Sequence, residues 1–111
     1  MVKFCVFYYG KPEDSAAFDK HYWDHHLPMV TRFPKIKRIL ISKGQPEEDL
    51  YQITELYFDN RTEMEAALGS PERAAAAEDS RRFLKFDGKI IRRTFEVIDF
   101  AKEYGIRGET G

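Results

Sequence analysis

The segment VKFCVFYY at residues 2–9 constrains the fold of this chain more than any other part of its sequence. Almost every residue in it is β-branched or aromatic, which predicts a β-strand. Both faces of this strand would be apolar. One face carries Phe4, Val6 and Tyr8, and the other carries Cys5, Phe7 and Tyr9. Since strands of this kind are usually buried on both sides, we expect each face to be covered.

Residues 13–33 predict a long helix. Apolar residues recur there at steps of three and four, which is the spacing of one helix face. That face carries Phe18, Tyr22, His25, Met29 and Phe33. Pro28 lacks a backbone N–H and its ring clashes with the preceding turn, so we expect a kink near residues 24–28.

The remaining segments complete an alternating pattern of strands and helices. The predicted strands are residues 36–43, 51–59 and 90–99, and the predicted helices are residues 62–70 and 71–84. The resulting order, β-α-β-β-α-β, is typical of the ferredoxin-like α+β fold, a four-stranded antiparallel sheet with helices on one face. We therefore predict a single domain over residues 1–100. The polar, glycine-containing tail at residues 101–111 is expected to be flexible or to lie against a partner.

The second face of the predicted sheet is too apolar to face water. In the third strand, Ile53 and Tyr57 lie opposite Thr54 and Leu56, so each face carries apolar side chains. A contiguous exposed apolar surface usually marks a binding site for a partner. The simplest partner is a second copy of the chain about a two-fold axis, and we predict a homodimer through this face. In the alternative, the aliphatic stems of basic residues such as Arg92 and Lys3 cover the rings.

Composition argues against several classes of protein. The 111 residues carry a formal net charge of −1, which argues against nucleic-acid binding. No apolar run approaches the ~20 residues that span a bilayer, and the N-terminus lacks the cleavage site of a signal peptide. Cys5 is the only cysteine, so no internal disulfide can form, and we expect a cytoplasmic protein.

All three histidines, His21, His25 and His26, fall within six residues of the predicted long helix. His26 lies at the shoulder of the apolar face, where an imidazole with a pKa near ~6.5 can act as a general acid or base. Alternatively, His26 hydrogen-bonds the turn that Pro28 breaks. His25 is expected in the core and His21 in solvent. The i, i+4 spacing of His21 and His25 suits a metal ion, but no HExxH or cysteine pattern accompanies it, and we predict no metal site.

Two stretches of the chain resemble the EthD-like family of the dimeric α+β barrel superfamily. They are FYYGKPEDSAAFDKHYWDHHLPMV, at residues 7–30, and ELYFDNRTEMEAALGSPERAAAAEDSRRF, at residues 55–83. The resemblance covers residues 2–99 and implies a homodimer whose sheets form a shared barrel, with a pocket between sheet and helices in each subunit. Relatives in that superfamily include lactone isomerases, polyketide cyclases, small monooxygenases and haem-handling enzymes. Several of them use a second histidine on another element, which this chain lacks, so a two-histidine mechanism is not expected here.

The predicted pocket places His26 opposite one face of the sheet. Its expected binding residues are Phe4, Val6, Tyr8, Thr54 and Phe95 from the strands, Trp23 beside His26, and Asp79 and Phe83 from the last helix. A mostly apolar lining with a few polar groups suits an aromatic or alicyclic small molecule. Asp79 either orients a histidine, binds a substrate hydroxyl or forms a surface salt bridge with Arg73 or Arg82. In the alternative, the lining residues pack into a filled core.

We therefore expect an enzyme that acts on a small cyclic or aromatic metabolite, with His26 moving a proton and no cofactor. Isomerisation, cyclisation and cofactor-free oxygenation all fit these residues. One alternative is a ligand carrier or accessory protein of an oxygenase or degradation pathway, which needs no ionisation of His26. Another is a haem binder with one of the histidines as axial ligand.

Overall fold

The computed structural model describes residues 1–83, 85–103 and 105. The strands are β1 (Val2–Pro12), β2 (Arg38–Lys43), β3 (Leu50–Phe58) and β4 (Phe86–Glu96). The helices are α1 (Ser15–His21), α2 (Leu27–Val30), α3 (Arg61–Leu68), α4 (Pro71–Phe83) and α5 (Phe100–Glu103). A π-helical turn, Tyr22–His26, joins α1 to α2. The order of strands and helices through β4 is the predicted one.

The four strands form one antiparallel sheet in the order β2-β3-β1-β4, which confirms the ferredoxin-like fold. The first strand lies inside the sheet, so the apolar segment near the start of the chain is paired along both edges. Val6, for example, lies opposite Thr54 of β3 and Arg92 of β4. The helices pack against the face that carries Phe4, Val6 and Tyr8, and the core forms there.

Both β1 and β4 are longer than the sequence predicts because two glycines face each other across them. Gly10 pairs with Gly88, and their φ angles are 109° and 153°. A Cβ atom on Gly10 would lie 2.1 Å from the carbonyl oxygen of Asp87, and one on Gly88 would lie 1.9 Å from that of Tyr9. Only glycine allows the two backbones to approach this closely. The strands therefore continue past residues 9 and 90, where the sequence predicts their ends.

The core lies between the sheet and the helices and is rich in aromatic rings. Phe18 of α1 stacks on Tyr22, with ring centroids 5.7 Å apart, and Tyr8 meets both rings edge-on. Ala67 of α3 and Ala76 of α4 are buried against the same cluster. This packing fixes the π-helical turn and α4 relative to the sheet.

The end of the chain is described only in part. The predicted tail at residues 101–111 lies mainly outside the described residues, and its first residues belong to α5. Asp99 precedes that helix and accepts a hydrogen bond from the backbone N–H of Lys102 at 2.9 Å. Within the described ranges, no helix combines the length and apolar character needed to cross a membrane.

Candidate functional site

A π-helical turn between α1 and α2 brings three histidines toward α4. The backbone N–H of Leu27 donates to the carbonyl of Tyr22, five residues back rather than four. Pro28 follows, without an N–H to donate and with a ring that would crowd the carbonyl of Asp24 in a regular α-helix. The predicted kink thus takes the form of a wide turn. It adds one residue to the helical repeat and rotates the residues that follow.

Asp79 of α4 is the shared partner of these histidines. Its Oδ2 atom lies 2.9 Å from Nδ1 of His26, and its two carboxylate oxygens lie 3.2 and 3.1 Å from Nε2 of His21. Nε2 of His25 lies 3.4 Å from its Oδ1 atom. His26 and Asp79 are buried, whereas the side chain of His25 is 61% exposed. A regular helix predicted His25 in the core and His21 in solvent. In the structure, His25 lies outside the core and His21 has a carboxylate partner.

Burial and charge together set the protonation of the His26–Asp79 pair. Desolvation lowers the pKa of His26 below its ordinary 6.5, against the opposing effect of the hydrogen bond with Asp79. Burial raises the pKa of Asp79, but the hydrogen bonds with His26 and His21 outweigh it and hold that pKa below 3.8. Near neutral pH the pair is therefore a neutral imidazole beside a carboxylate. Because a carboxylate accepts a hydrogen bond, Nδ1 carries the proton and Nε2 is the basic nitrogen.

His26 lines a small cavity between the sheet and α4. The cavity has a volume of about 50 Å³, enough for roughly one or two water molecules. Phe4, Val6, Tyr8 and Thr54 line it from the sheet. The structure thus brings these four predicted binding residues to the same cavity as His26.

A much larger cleft adjoins this cavity between α4 and β4. Its volume is about 720 Å³, in the range of small-molecule binding sites. Ala74 and Ala77 line it from α4, and Ile90 and Arg92 line it from β4. Ala77 and Arg92 also line the inner cavity, so the two spaces adjoin at these side chains. Of these two spaces, His26 lines only the inner cavity.

Two of the predicted binding residues, Tyr8 and Thr54, belong to a buried hydrogen-bond network. The hydroxyls of Tyr22 and Thr54 lie 2.5 Å apart, and Tyr8 donates to Tyr22 at 3.4 Å. The side-chain amide of Gln52 donates to Thr54 Oγ1 at 3.0 Å. Burial raises the pKa of both Tyr8 and Tyr22, so these phenols remain protonated. The network forms a rigid polar wall of the cavity.

Two predicted binding residues lie elsewhere, and the side chain of a third, Phe83, lies outside the described residues. Trp23 is 54% exposed and is not part of the cavity wall, because the π-helical turn directs it to solvent. Phe95 is 41% exposed on the opposite face of the sheet, with its ring 6.3 Å from that of Phe7. Its partner in the register is Lys3, which lies on that face. Phe95 and Trp23 are therefore removed from the candidate site.

Two arginines that the sequence analysis did not assign to the pocket lie where the cavity meets the cleft. Arg73 of α4 and Arg92 of β4 line both spaces. Arg92 lies directly opposite Val6 in the sheet. The correct pairing of β4 with β1 would therefore have predicted that the side chain of Arg92 lies on the cavity face. Arg73 precedes Ala77 by four residues and Ser80 by seven, which is the spacing of one helix face.

His21, His25 and Asp79 form the one group of metal-ligating residue types that converges within the described part of the chain. Their ligand atoms lie within 4.8 Å of one another, and nitrogen and carboxylate donors suit zinc. The carboxylate, however, already lies at hydrogen-bond distance from His26 and His21, which satisfy it without an ion. We therefore assign Asp79 as a hydrogen-bond acceptor for the histidines.

Sequence comparison identifies relatives of this chain. The family model of the EthD domain matches residues 11–87. An uncharacterised 11.0 kDa protein from the thcB–thcC intergenic region of Rhodococcus erythropolis is 39% identical over 80 residues. That alignment covers 68% of this chain and 77% of the relative.

Solved structures share the fold. An ethyl tert-butyl ether D (EthD) family protein from Bacillus halodurans C-125 aligns with a TM-score of 0.77 and 28% identity, over 88% of this chain and 99% of that one. A variant of SnoaB, a cofactor-independent oxygenase from Streptomyces nogalater, aligns with a TM-score of 0.66 and 14% identity, over 88% and 93% of the two chains. The latter likeness concerns the fold alone. On the family match and the Rhodococcus relative together, this chain belongs to the EthD domain family.

Proposed function

We propose that this protein is an enzyme in which His26 moves a proton on a small cyclic or aromatic molecule held in the cleft. The observation that carries the proposal is the buried His26–Asp79 pair, with 2.9 Å between Nδ1 and Oδ2, beside the small cavity that adjoins that cleft. The hydrogen bond fixes the ring and directs the basic character to Nε2. This is the arrangement by which a carboxylate orients a histidine base.

The proposed chemistry begins with removal of a proton from a carbon or hydroxyl that a neighbouring carbonyl or aromatic ring makes acidic. Nε2 of His26 takes the proton, and the charge of Asp79 stabilises the imidazolium that forms. Return of the proton to a different atom completes an isomerisation or a cyclisation. Alternatively, the resulting carbanion adds to dioxygen, which is the oxidant. The peroxide takes the proton back from His26 and then loses water together with a second hydrogen of the same carbon, which leaves a carbonyl group and completes a cofactor-free oxygenation. The fold shared with the oxygenase SnoaB supports this last possibility without selecting it.

The two alternative functions have less support. A cavity of about 50 Å³ leaves no room for a haem beside the His26 imidazole. The Nε2 atoms of the other two candidate axial ligands, His21 and His25, lie 3.1 and 3.4 Å from the Asp79 carboxylate. A ligand carrier has no need of an imidazole–carboxylate pair beside the small cavity that adjoins its binding cleft, where the pair costs desolvation energy.

Deuterium exchange tests the proposal without knowledge of the natural substrate. Cyclic monoketones and hydroxyaryl ketones, whose C–H groups exchange slowly in buffer, are incubated with the protein in D2O, and loss of the C–H signals next to the carbonyl is followed by NMR. Wild-type protein should accelerate exchange, and His26→Ala should lower the enzymatic rate by about 10²–10⁴-fold, the usual contribution of a positioned base. His25→Ala removes an exposed imidazole from the same turn and is the matched control, with a rate close to wild type.

Two results would contradict the proposal. One is a His26→Ala protein that exchanges as fast as wild type. The other is a wild-type protein that binds these compounds but exchanges them no faster than buffer does, which would favour the carrier. Chelator treatment of the wild type separates proton transfer by His26 from a reaction that depends on a bound metal ion.

We also propose that the second face of the sheet is a homodimer interface. Cys5 is buried on this face, Phe7 is half-buried and Phe95 is largely open. Lys3 covers part of it, since its ammonium lies 5.6 Å from the centre of the Phe95 ring and pairs with Glu55. Aromatic surface remains on both sides of this ion pair, which suits contact with an identical face.

Native mass spectrometry tests the dimer. Wild-type protein should be a dimer, and Phe7→Lys, which places a charge on the proposed interface, should be a monomer. Trp23→Lys changes an exposed aromatic residue on the helix side of the molecule and should remain a dimer. A monomeric wild-type protein, or equal effects of both variants, would contradict the assignment.

We further propose that residues 1–100 form one domain and that the protein is cytoplasmic. The continuous core from β1 to α4 supports the single domain. Cys5 is a free, buried thiol whose pKa is raised to about 11 by burial, so it acts as a packing residue and is compatible with a reducing compartment. Limited proteolysis tests the single domain, and the first cuts should fall beyond residue 100. Fractionation of the native host tests the cytoplasmic location.

A further inference from the structure

The cleft between α4 and β4 carries positive charge without a matching acid. Three arginines line it, Arg73 and Arg81 from α4 and Arg92 from β4. Among the described residues, no aspartate or glutamate lines either the cleft or the inner cavity. The chain as a whole has a net charge of −1, so this excess of positive charge belongs to the cleft and does not follow from composition.

Arg73 is held in place by contacts that leave its charge unbalanced. Its Nη1 donates to the backbone carbonyl of Leu68 at 3.1 Å, and its guanidinium carbon lies 5.6 Å from the centre of the Phe4 ring. Neither contact supplies a full negative charge. Burial and the nearby positive charge of Arg92 both lower the pKa of Arg73. The two guanidinium groups therefore lie close enough to repel each other.

Two arginines on exposed helix surfaces have carboxylate partners. Arg61 pairs with Glu65 at 2.8 Å, and Arg82 pairs with Glu78 at 2.6 Å, each four residues apart on one helix. In the part of the chain that the structure describes, neither Arg73 nor Arg92 forms such an ion pair. An anion between them would remove the repulsion and complete their hydrogen bonding.

We infer that the cleft binds a small organic anion, an aromatic or alicyclic carboxylate, with the carboxylate group between Arg73 and Arg92. The inference depends on the proposed function only in making this anion the substrate. A guanidinium group donates two parallel hydrogen bonds to a planar carboxylate, which makes arginine the residue best suited to this group. The apolar part of the ligand lies against Ala77 and Ile90, which line the same cleft, and its free end is directed to His26.

This arrangement makes Arg92 a specificity-determining residue. It stands on a strand of the sheet, exposed and opposite Val6, so its removal disturbs little of the core. A substrate without an acid group would leave both guanidinium groups without a counter-charge and would bind more weakly. The cleft is thus expected to choose acids over their neutral analogues.

Isothermal titration calorimetry with matched pairs of probes tests the inference. Benzoate and 2-naphthoate are compared with benzamide and 2-naphthamide, which have nearly the same shape without the charge. Wild-type protein should bind the acids more tightly than the amides. Arg92→Gln should weaken binding of the acids by about 10–100-fold, the loss expected for a charged hydrogen-bonded pair, and should leave the amides unchanged.

Arg93→Gln is the matched control, since it removes the same charge from the adjacent residue of β4, on the other face of the sheet. Three results would each overturn the inference. The wild type could bind acids and amides equally, it could fail to bind the acids, or Arg92→Gln and Arg93→Gln could lose the same affinity. If acids bind through Arg92 but no exchange activity is found, the anion site stands and the catalytic proposal alone fails.

Discussion

Replacing Thr54 with valine tests whether the buried network is structural. The substitution keeps the shape of the side chain but removes the hydroxyl that lies 2.5 Å from Tyr22 and 3.0 Å from Gln52. Tyr22 keeps a longer bond of 3.4 Å to Tyr8. Weakening two buried polar groups in this way costs about 2–4 kcal/mol, and the added methyl offsets about 0.8 kcal/mol. We therefore expect a net loss of about 1–3 kcal/mol in the free energy of unfolding.

Urea unfolding followed by circular dichroism measures this loss, at one fixed protein concentration because dimerisation would add to stability. Thr94→Val is the matched control. Thr94 is exposed on β4, and its replacement should change stability by less than about 0.5 kcal/mol. If Thr54→Val costs no more than Thr94→Val, the Thr54 hydroxyl does not satisfy buried partners. The hydroxyl would then be available to hydrogen-bond a ligand, and the structural role assigned to the network would be refuted.

Three further predictions concern stability in acid, the charge of Asp79 and the backbone at Gly88. The pKa of His26 lies below its ordinary 6.5 in the folded protein, so the unfolded chain binds more protons and stability should fall as the pH drops below neutral. A further loss of stability should follow as the pH falls from 3.8 through the lower folded pKa of Asp79. Urea unfolding midpoints measured across this pH range check both losses. His26→Gln should reduce the pH dependence of stability in the range where His26 titrates. Asp79→Asn keeps an acceptor for His26 but removes the charge, so an NMR titration should show a still lower pKa for His26 and the exchange rate should fall. Gly88→Ala should destabilise the protein by about 1–3 kcal/mol or more, because its Cβ would lie 1.9 Å from a carbonyl oxygen. Gly69→Ala, with 3.5 Å to the nearest atom, should stay within about 0.5 kcal/mol, and equal stability of the two glycine variants would contradict the close approach of β1 and β4.

The architecture could be predicted because it depends on patterns that extend over many residues. The apolar first strand requires partners on both edges and cover on at least one face, and the alternation of strands and helices leaves few ways to provide them. The pairing Val6–Thr54, with both side chains facing the helices, follows from that arrangement. Hence the predicted cavity residues of β1 and β3 lie together around His26.

The fourth strand could not be oriented from sequence because both of its faces are mixed. Ile90 and Arg92 share one face, and Ile91, Arg93 and Phe95 share the other. A shift of one residue exchanges the faces, and hydrophobicity does not decide between them here. The register is set instead by the close pairing of Gly10 and Gly88. In the sequence alone, Gly10 indicates a turn after the first strand and Gly88 indicates the end of the last long helical segment. Phe95 was therefore assigned to the pocket face, and Arg92 to the open face, where it was expected to cover aromatic rings. The structure places each of them on the other face.

The histidine cluster was predicted as a concentration of imidazoles but not in its arrangement. A regular helix directs His25 into the core, and the observed wide turn removes it to the surface. The signal was present in Pro28, which a regular helix accommodates poorly. Sequence alone does not decide whether such a helix bends, breaks or widens, since that depends on what Asp79 and the sheet offer on the other side.

The wide turn at Tyr22–His26 also bears on how this scaffold can diversify. It amounts to one surplus residue within an otherwise regular helix, so the loss of a single codon would restore the ordinary repeat and move the imidazoles out of phase with Asp79. The sheet and the cleft would be untouched by such a change. Under the proposed mechanism, a lineage built on this scaffold gains or loses proton transfer by His26 through one insertion or deletion, while the cleft is inherited intact.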